Sequence, residues 1–213
     1  MSNLSPLDES ALARAVKTLA RLDPDLARVA REHGVPPLWA RAPGFATLTH
    51  IILEQQVSLA SARACFKKLE ALLQGEVTPA RFLALDDDAL RAAGFSRQKA
   101  LYCRELARAI EGGTLDIDAL RGLDDDAVRV ELTRIKGIGR WTADIYLLMV
   151  LLRPDVLPRG DLALYIAAHQ VKGLAARPTP DEFAALAEGW QPWRAVGARL
   201  LWHHYLRTRR AGV

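Results

Sequence analysis

Two glycines separated by one residue, Gly137 and Gly139, cut a helical pattern that otherwise runs from residue 124 to residue 152. Before them, Asp124-Asp125-Asp126 opens a run with Val128 and Leu132 on one face. After them, Trp141, Ile145, Leu148, Met149 and Leu152 recur at helical spacing. Two helices joined by so short a link fold back on each other as a helix–hairpin–helix. Glycine permits the tight turn and removes the side chain that would hold another molecule away from the backbone. The amides of Gly137, Ile138, Gly139 and Arg140 then lead into the second helix, where unpaired N–H groups and the helix dipole favour an anion. With Lys136 and Arg140 alongside, a nucleic-acid phosphate is a natural guest. A lone Gly-x-Gly between helices is more often a plain αα-hairpin with glycine closing the first helix, so the rest of the chain has to decide.

Nearly every other segment also reads as helix. Asp8 caps a run to Leu22, Asp23-Pro24 starts a shorter helix to His33, and Gly34 to Gly44 is a proline-bearing loop that holds Trp39. Phe45 to Val57 and Ser58 to Leu73 follow, then short helices at Pro79–Leu85 and Asp86–Ala93, and a longer one capped by Ser96. Leu115 to Leu123 reads as a connector helix. Leu162 to Val171, a helix opened by the Thr179-to-Glu182 capping box, and Trp193 to Arg209 close the chain. No strand pattern of useful length and no internal repeat occurs, so the expected class is all-α.

The 213 residues suffice for one compact domain or two joined lobes, and half are hydrophobic, enough for a sizeable core. The longest apolar run, Ile145 to Leu152, is too short for a membrane span. No signal pattern opens the sequence, so a cytoplasmic protein is the expectation; a monomer is expected as well. A net charge of +4 and a pI near 9.3 suit a nucleic-acid partner without proving one. Cys65 and Cys103 are too few for a disulfide framework or a four-thiolate cluster. His169, His203 and His204 make no convincing zinc set, so no metal site is expected from the histidines.

The string Ile135-Lys136-Gly137-Ile138-Gly139-Arg140-Trp141-Thr142-Ala143 resembles the hairpin of the helix–hairpin–helix DNA glycosylase superfamily. Within it, the chain looks like the 3-methyladenine DNA glycosylase II group. That group carries an essential aspartate shortly after the hairpin, and Leu157-Pro158-Arg159-Gly160-Asp161-Leu162 supplies one, 22 residues beyond Gly139. Glu54-Gln55-Gln56-Val57-Ser58 resembles the segment that reaches DNA and wedges a side chain into the gap left by a flipped nucleotide, with Gln56 at the wedge position. Gly94-Phe95-Ser96 with Lys99 and Tyr102 resembles a further family pattern of structural residues.

The resemblance implies a two-lobed helical core with the active site in the cleft between lobes; larger relatives add an N-terminal β-rich domain for which this chain has no room, so a single domain over residues 1–213 is expected. It implies a glycosylase that removes alkylated purines from double-stranded DNA in base excision repair. Asp161 would be catalytic, and Trp141, Trp202, Trp39 and Tyr146 would form the base pocket. Gln55, Gln56, Lys136, Gly137, Ile138, Gly139 and Arg140 would contact DNA. A monovalent cation, Na+ or K+, at the hairpin carbonyls is compatible with the family, whereas an iron–sulfur cluster is not expected.

The chemistry fits those residue types. Breaking a base–deoxyribose bond builds positive charge on the sugar, which a nearby carboxylate stabilises while it positions water. The base must first leave the duplex. Bifunctional relatives carry a lysine directly after Gly-x-Gly-Arg, where this chain has Trp141, so hydrolysis without strand cleavage is expected. Tryptophan faces would attract the positive charge of an alkylated purine, which makes Trp202→Leu more harmful to cationic than to neutral bases. Family aromatics are replaced by Ile145 and Leu162. Asp144 and Asp155 are rival carboxylates, and Asp161 could simply cap a helix. A non-catalytic hairpin DNA-binding domain, or a glycosylase for mismatched or oxidised bases, are the alternatives.

Overall fold

The computed structural model describes residues 5–211, and among them there are twelve α-helices, one 3-10 turn and no strand. The chain divides into two compact units, one made of residues up to Ala40 and from Leu147 onward, the other of Arg41–Tyr146. None of the helices described is long and apolar enough to cross a membrane.

In the first unit, α1 (Glu9–Leu22) is started by Asp8, whose carboxylate accepts the Ala11 amide. Leu12, Val16 and Leu19 recur on one face and are buried, each contributing about 1.5–3 kcal/mol of transfer free energy. Asp23 ends this helix and caps α2 (Pro24–His33), with proline in the first turn where its missing N–H costs nothing. The Asp23 carboxylate also accepts Lys172 Nζ of α10 (Leu162–Lys172) at 2.6 Å and the Trp190 indole N–H at 2.8 Å. Trp190 follows α11 (Pro180–Glu188) and lies over Gly197 of α12 (Arg194–Ala211). A β-carbon at position 197 would meet that ring at 2.5 Å. One buried acid thus ties the start of α2, the end of α10 and the tryptophan against α12.

The second unit holds α3 (Phe45–Glu54), α4 (Leu59–Leu72), α5 (Pro79–Leu83), α6 (Asp87–Ala93), α7 (Arg97–Glu111) and α8 (Asp125–Thr133). Ser58, Thr78, Asp86, Ser96 and Asp124 cap their helices by accepting the amide three residues on. Phe82 anchors the core between Phe45 and Phe95, with ring centroids 5.5 and 5.7 Å away. The chain passes to the first unit along α9 (Arg140–Met149).

Several boundaries differ from expectation, among them the end of α9 at Met149 rather than Leu152 and of α5 at Leu83 rather than Leu85. α3 stops at Glu54 rather than Val57, because Gln55 turns extended and Gln56 takes a left-handed φ of 57°. The Leu115–Leu123 connector is helical only as a 3-10 turn at Ala119–Gly122, after Asp116 accepts the Asp118 and Ala119 amides. A side-chain turn there competes with the helix the pattern suggested.

Candidate active site and hairpin

The hairpin occupies residues 134–139, between α8 and α9. Ile135 N–H bonds to Leu132 O, and Ile138 N–H bonds to Ile135 O, closing two short turns. Gly137 sits at φ 95°, a left-handed conformation that favours glycine. The reason for glycine here differs from the one read in the sequence. A β-carbon at 137 would overlap the Tyr102 ring of α7, so the close approach comes from inside the fold. Gly139 is the open position, where a β-carbon would meet nothing within 4 Å. Lys136 and Gly139, ahead of α9, and Arg140, its first residue, are exposed where helix geometry leaves the first amides without intrahelical acceptors.

Two of the expected DNA contacts are used internally. Gln55 Nε2 donates to Gly137 O and to Thr142 Oγ1, both at 2.9 Å, and so clamps the hairpin to the end of α3. Ile138 is only 4% exposed; its side chain plugs the core and leaves just backbone at the hairpin. Gln56, by contrast, is exposed at its left-handed turn. Lys99 and Tyr102 have the structural roles expected of them: Lys99 Nζ donates to Leu53 O, and Tyr102 backs Gly137. The Ile135 and Gly137 carbonyls already accept these internal N–H groups. A monovalent ion would therefore have to share those two oxygens, each of which has a second lone pair.

Asp161 lies in the first unit at the head of α10. Its Oδ1 accepts the Leu164 amide at 3.0 Å and the Trp202 indole N–H at 3.2 Å. The residue is 8% exposed, so the carboxylate is sheltered yet reachable. The preceding loop is held by Gly160 N–H donating to the Tyr165 hydroxyl at 2.6 Å, with Gly160 at φ 85°. Both the capping role and a chemical role are thus open to the same side chain. The rivals are engaged otherwise. Asp144 is fully buried and accepts Arg129 Nε at 2.7 Å and Arg140 Nε at 3.3 Å. Asp155 accepts Arg194 through both oxygens.

Of the four aromatics expected in a base pocket, Trp39 and Trp202 meet within the first unit, edge to face with centroids 6.4 Å apart. Trp141 is half-buried in the second unit. Tyr146 departs from the expectation. It is fully buried, its hydroxyl has no partner, and burial pushes that hydroxyl up to about 12, so its ring belongs to the core and offers no face to a base. Leu162, next to Asp161, is 55% exposed, whereas Ile145 is buried.

Sequence reasoning misses Arg199. It is fully buried on α12 and donates to the carbonyls of Leu38, Ala195 and Leu148. With no carboxylate to offset burial, its guanidinium is pulled down to about 9. By gripping Leu38 it fixes the loop on which Trp39 approaches Trp202. The available signal is an arginine set within the apolar run Val196 to Trp202, where a solvated charge has no outlet.

The family described as HhH-GPD superfamily base excision DNA repair protein matches residues 49–192, which include the hairpin and Asp161. DNA-3-methyladenine glycosylase 1 of Schizosaccharomyces pombe is 28% identical over 203 residues, 94% of this chain and 84% of that protein. The Bacillus subtilis protein YfjP is 27% identical over 184 residues; the match covers 83% of this chain and 64% of YfjP. Among solved structures, Schizosaccharomyces pombe Mag1, a 3-methyladenine DNA glycosylase in complex with abasic DNA, superposes with a TM-score of 0.84 at 28% identity, covering 89% of this chain and 95% of that one.

Proposed function

The chain belongs to the HhH-GPD superfamily of base excision DNA repair proteins, and from that membership we propose that it is a monofunctional DNA glycosylase that hydrolyses the N-glycosidic bond of alkylated purines. The observation that carries this reading is Asp161, a sheltered carboxylate held at the head of α10 by the Leu164 amide and the Trp202 indole. The relatives named for 3-methyladenine support the substrate class.

In this mechanism the duplex is anchored through phosphate at Lys136, Gly139 and Arg140, and Gln56 fills the space left by the extruded nucleotide. The purine departs as the sugar takes on oxocarbenium character. Asp161 stabilises that charge and orients the water that attacks the anomeric carbon. A fixed carboxylate is worth more than a mobile one, because no reorganisation is needed when the charge appears. Trp202 and Leu164 supply that fixation. Trp39, Trp141 and Trp202 supply aromatic surface for a cationic base. With Trp141 after Gly-x-Gly-Arg there is no amine at that position to form a Schiff base, so the product is an intact abasic strand. The protein acts as a cytoplasmic monomer, and neither an iron–sulfur cluster nor another cofactor takes part in the step; a Na+ or K+ ion at the hairpin would steady the phosphate anchor.

The test is release of free base from methylated duplex by the wild type and by Asp161→Asn. Asparagine still caps α10, so folding and DNA affinity should persist while single-turnover excision falls by about 10²-fold or more, roughly 2.7 kcal/mol. Excision within about threefold of wild type, under roughly 1 kcal/mol, would reduce Asp161 to a cap. Borohydride added to the wild-type reaction should trap no covalent adduct.

A further inference from the structure

The histidines that look unpromising in sequence are regrouped by the fold. His169 stays apart, while α2 and α12 bring Glu32, His33 and His204 together, with one ligand atom from each lying within 4.8 Å of the other two. His33 Nε2 is 3.2 Å from His204 Nδ1 and 3.7 Å from Glu32 Oε1. Zinc binds imidazole nitrogen at about 2.0–2.1 Å and carboxylate oxygen at about 2.0–2.2 Å, which sets two donors on a tetrahedral ion roughly 3.3–3.5 Å apart. The two spacings at His33, 3.2 and 3.7 Å, are close to those of a ligand set, and the exposed Glu32 need move little to complete it. We propose that Glu32, His33 and His204 form a binding site for a divalent zinc-type ion that joins α2 to α12.

The donor chemistry favours such an ion. Two imidazoles and a carboxylate suit zinc, whereas magnesium prefers an octahedron of oxygens and several retained waters. Three protein ligands leave a fourth position for water or an added donor. The His33 side chain is only 9% exposed and so is held in place, while that of Glu32 is 60% exposed and can adjust. Without metal, one hydrogen must lie between the two facing nitrogens. Metal binding would take both lone pairs and move that hydrogen to the other nitrogen of its ring.

His203 lies outside the ligand set but beside it. Its ring is 5.8 Å from that of His33 and edge-on to Trp39 at 6.4 Å. Its Nδ1 is buried with no partner. Through His203 the three ligands adjoin the Trp39–Trp202 pair. A simple histidine–histidine hydrogen bond is the competing account, and it predicts no metal affinity.

The experiment is a zinc titration of the untagged full chain against a chromophoric chelator, with cobalt(II) absorption as a direct view of the ligand field. The wild type should take one equivalent with a Kd tighter than about 10 μM. His33→Ala and His204→Ala should each weaken binding at least about tenfold, and Glu32→Gln by less. His169→Gln should bind as the wild type does, and magnesium should not compete. Zinc should also raise the melting temperature of the wild type and of His169→Gln, but not of His204→Ala. Should an alanine variant fail to fold, the wild-type cobalt spectrum still decides, because tetrahedral ligation by imidazole gives visible bands far more intense and at longer wavelength than the weak absorption of the hexaaqua ion. No binding below about 100 μM, or equal binding by a folded His33→Ala/His204→Ala double variant, would overturn the proposal.

Discussion

Trp202 donates its indole N–H to Asp161 while its ring meets Trp39 edge-on. The expectation that Trp202 acts chiefly through its π face therefore needs a second term. Any replacement loses a hydrogen bond to a carboxylate, an interaction worth about 1.5–3 kcal/mol. We expect Trp202→Phe and Trp202→Leu both to slow excision of cationic and neutral bases alike, by about tenfold or more. The π contribution is the further difference between the two variants on a cationic base, on the order of 0.5–2 kcal/mol. Single-turnover rates for both variants on a methylated purine and on hypoxanthine separate the two effects. If Trp202→Phe matches wild type on both bases, the indole N–H plays no part in holding Asp161.

The hairpin shows two neighbouring glycines doing different jobs. Gly137 is required by its left-handed φ and by Tyr102 behind it, while Gly139 faces open space. Gly137→Ala should therefore destabilise the fold, on the order of 2–3 kcal/mol from backbone strain and overpacking, and would say little about DNA. Gly139→Asp is the informative change. It places a carboxylate at the N-cap of α9, which should leave stability unchanged or slightly raised. It also puts that charge where phosphate is expected, so affinity should fall for every DNA sequence alike. Thermal melting and fluorescence anisotropy read the two quantities separately. A well-folded Gly139→Asp with wild-type affinity would remove the hairpin from the DNA interface.

Asp23 ties one end of the first unit together, and its titration affects the stability of the whole protein. Burial alone would raise its pKa, but hydrogen bonds from Lys172, Trp190 and the Leu26 amide outweigh that and lower it below the usual 3.8. Because the folded value is the lower one, the stabilisation is complete above the unfolded pKa and is lost as pH falls through the folded pKa. Urea midpoints should hold steady down to about pH 4 and then drop for the wild type. Asp23→Asn should be less stable at neutral pH, on the order of 3 kcal/mol because Lys172 keeps only its longer contact to Asp25, at 3.3 Å, with a shallower acid loss. Equal acid sensitivity in the variant would place the titrating group elsewhere. Asp8, Asp87 and Glu182 are lowered too, but they are exposed.

The helices, their caps and the hairpin were legible along the chain because each depends on neighbours within about four residues. Asp124, Ser96 and the Thr179–Glu182 box cap helices where the pattern placed them. Asp161 was legible as a cap from the Gly-Asp step ahead of an apolar helix, and as a candidate for chemistry only through the family resemblance, which places an aspartate shortly after the hairpin. Partners brought together from distant parts of the chain were not legible. Gln55 and Gly137 are 82 positions apart, Asp161 and Trp202 are 41, and His33 and His204 are 171. Local pattern carries no record of such pairings. Whether a glutamine reaches outward or clamps a carbonyl, whether a tyrosine faces a ligand or fills a core, and whether an arginine lies buried depend on packing between helices. Those choices are set by burial and hydrogen-bond satisfaction across the fold, which are properties of three-dimensional contact rather than of sequence order.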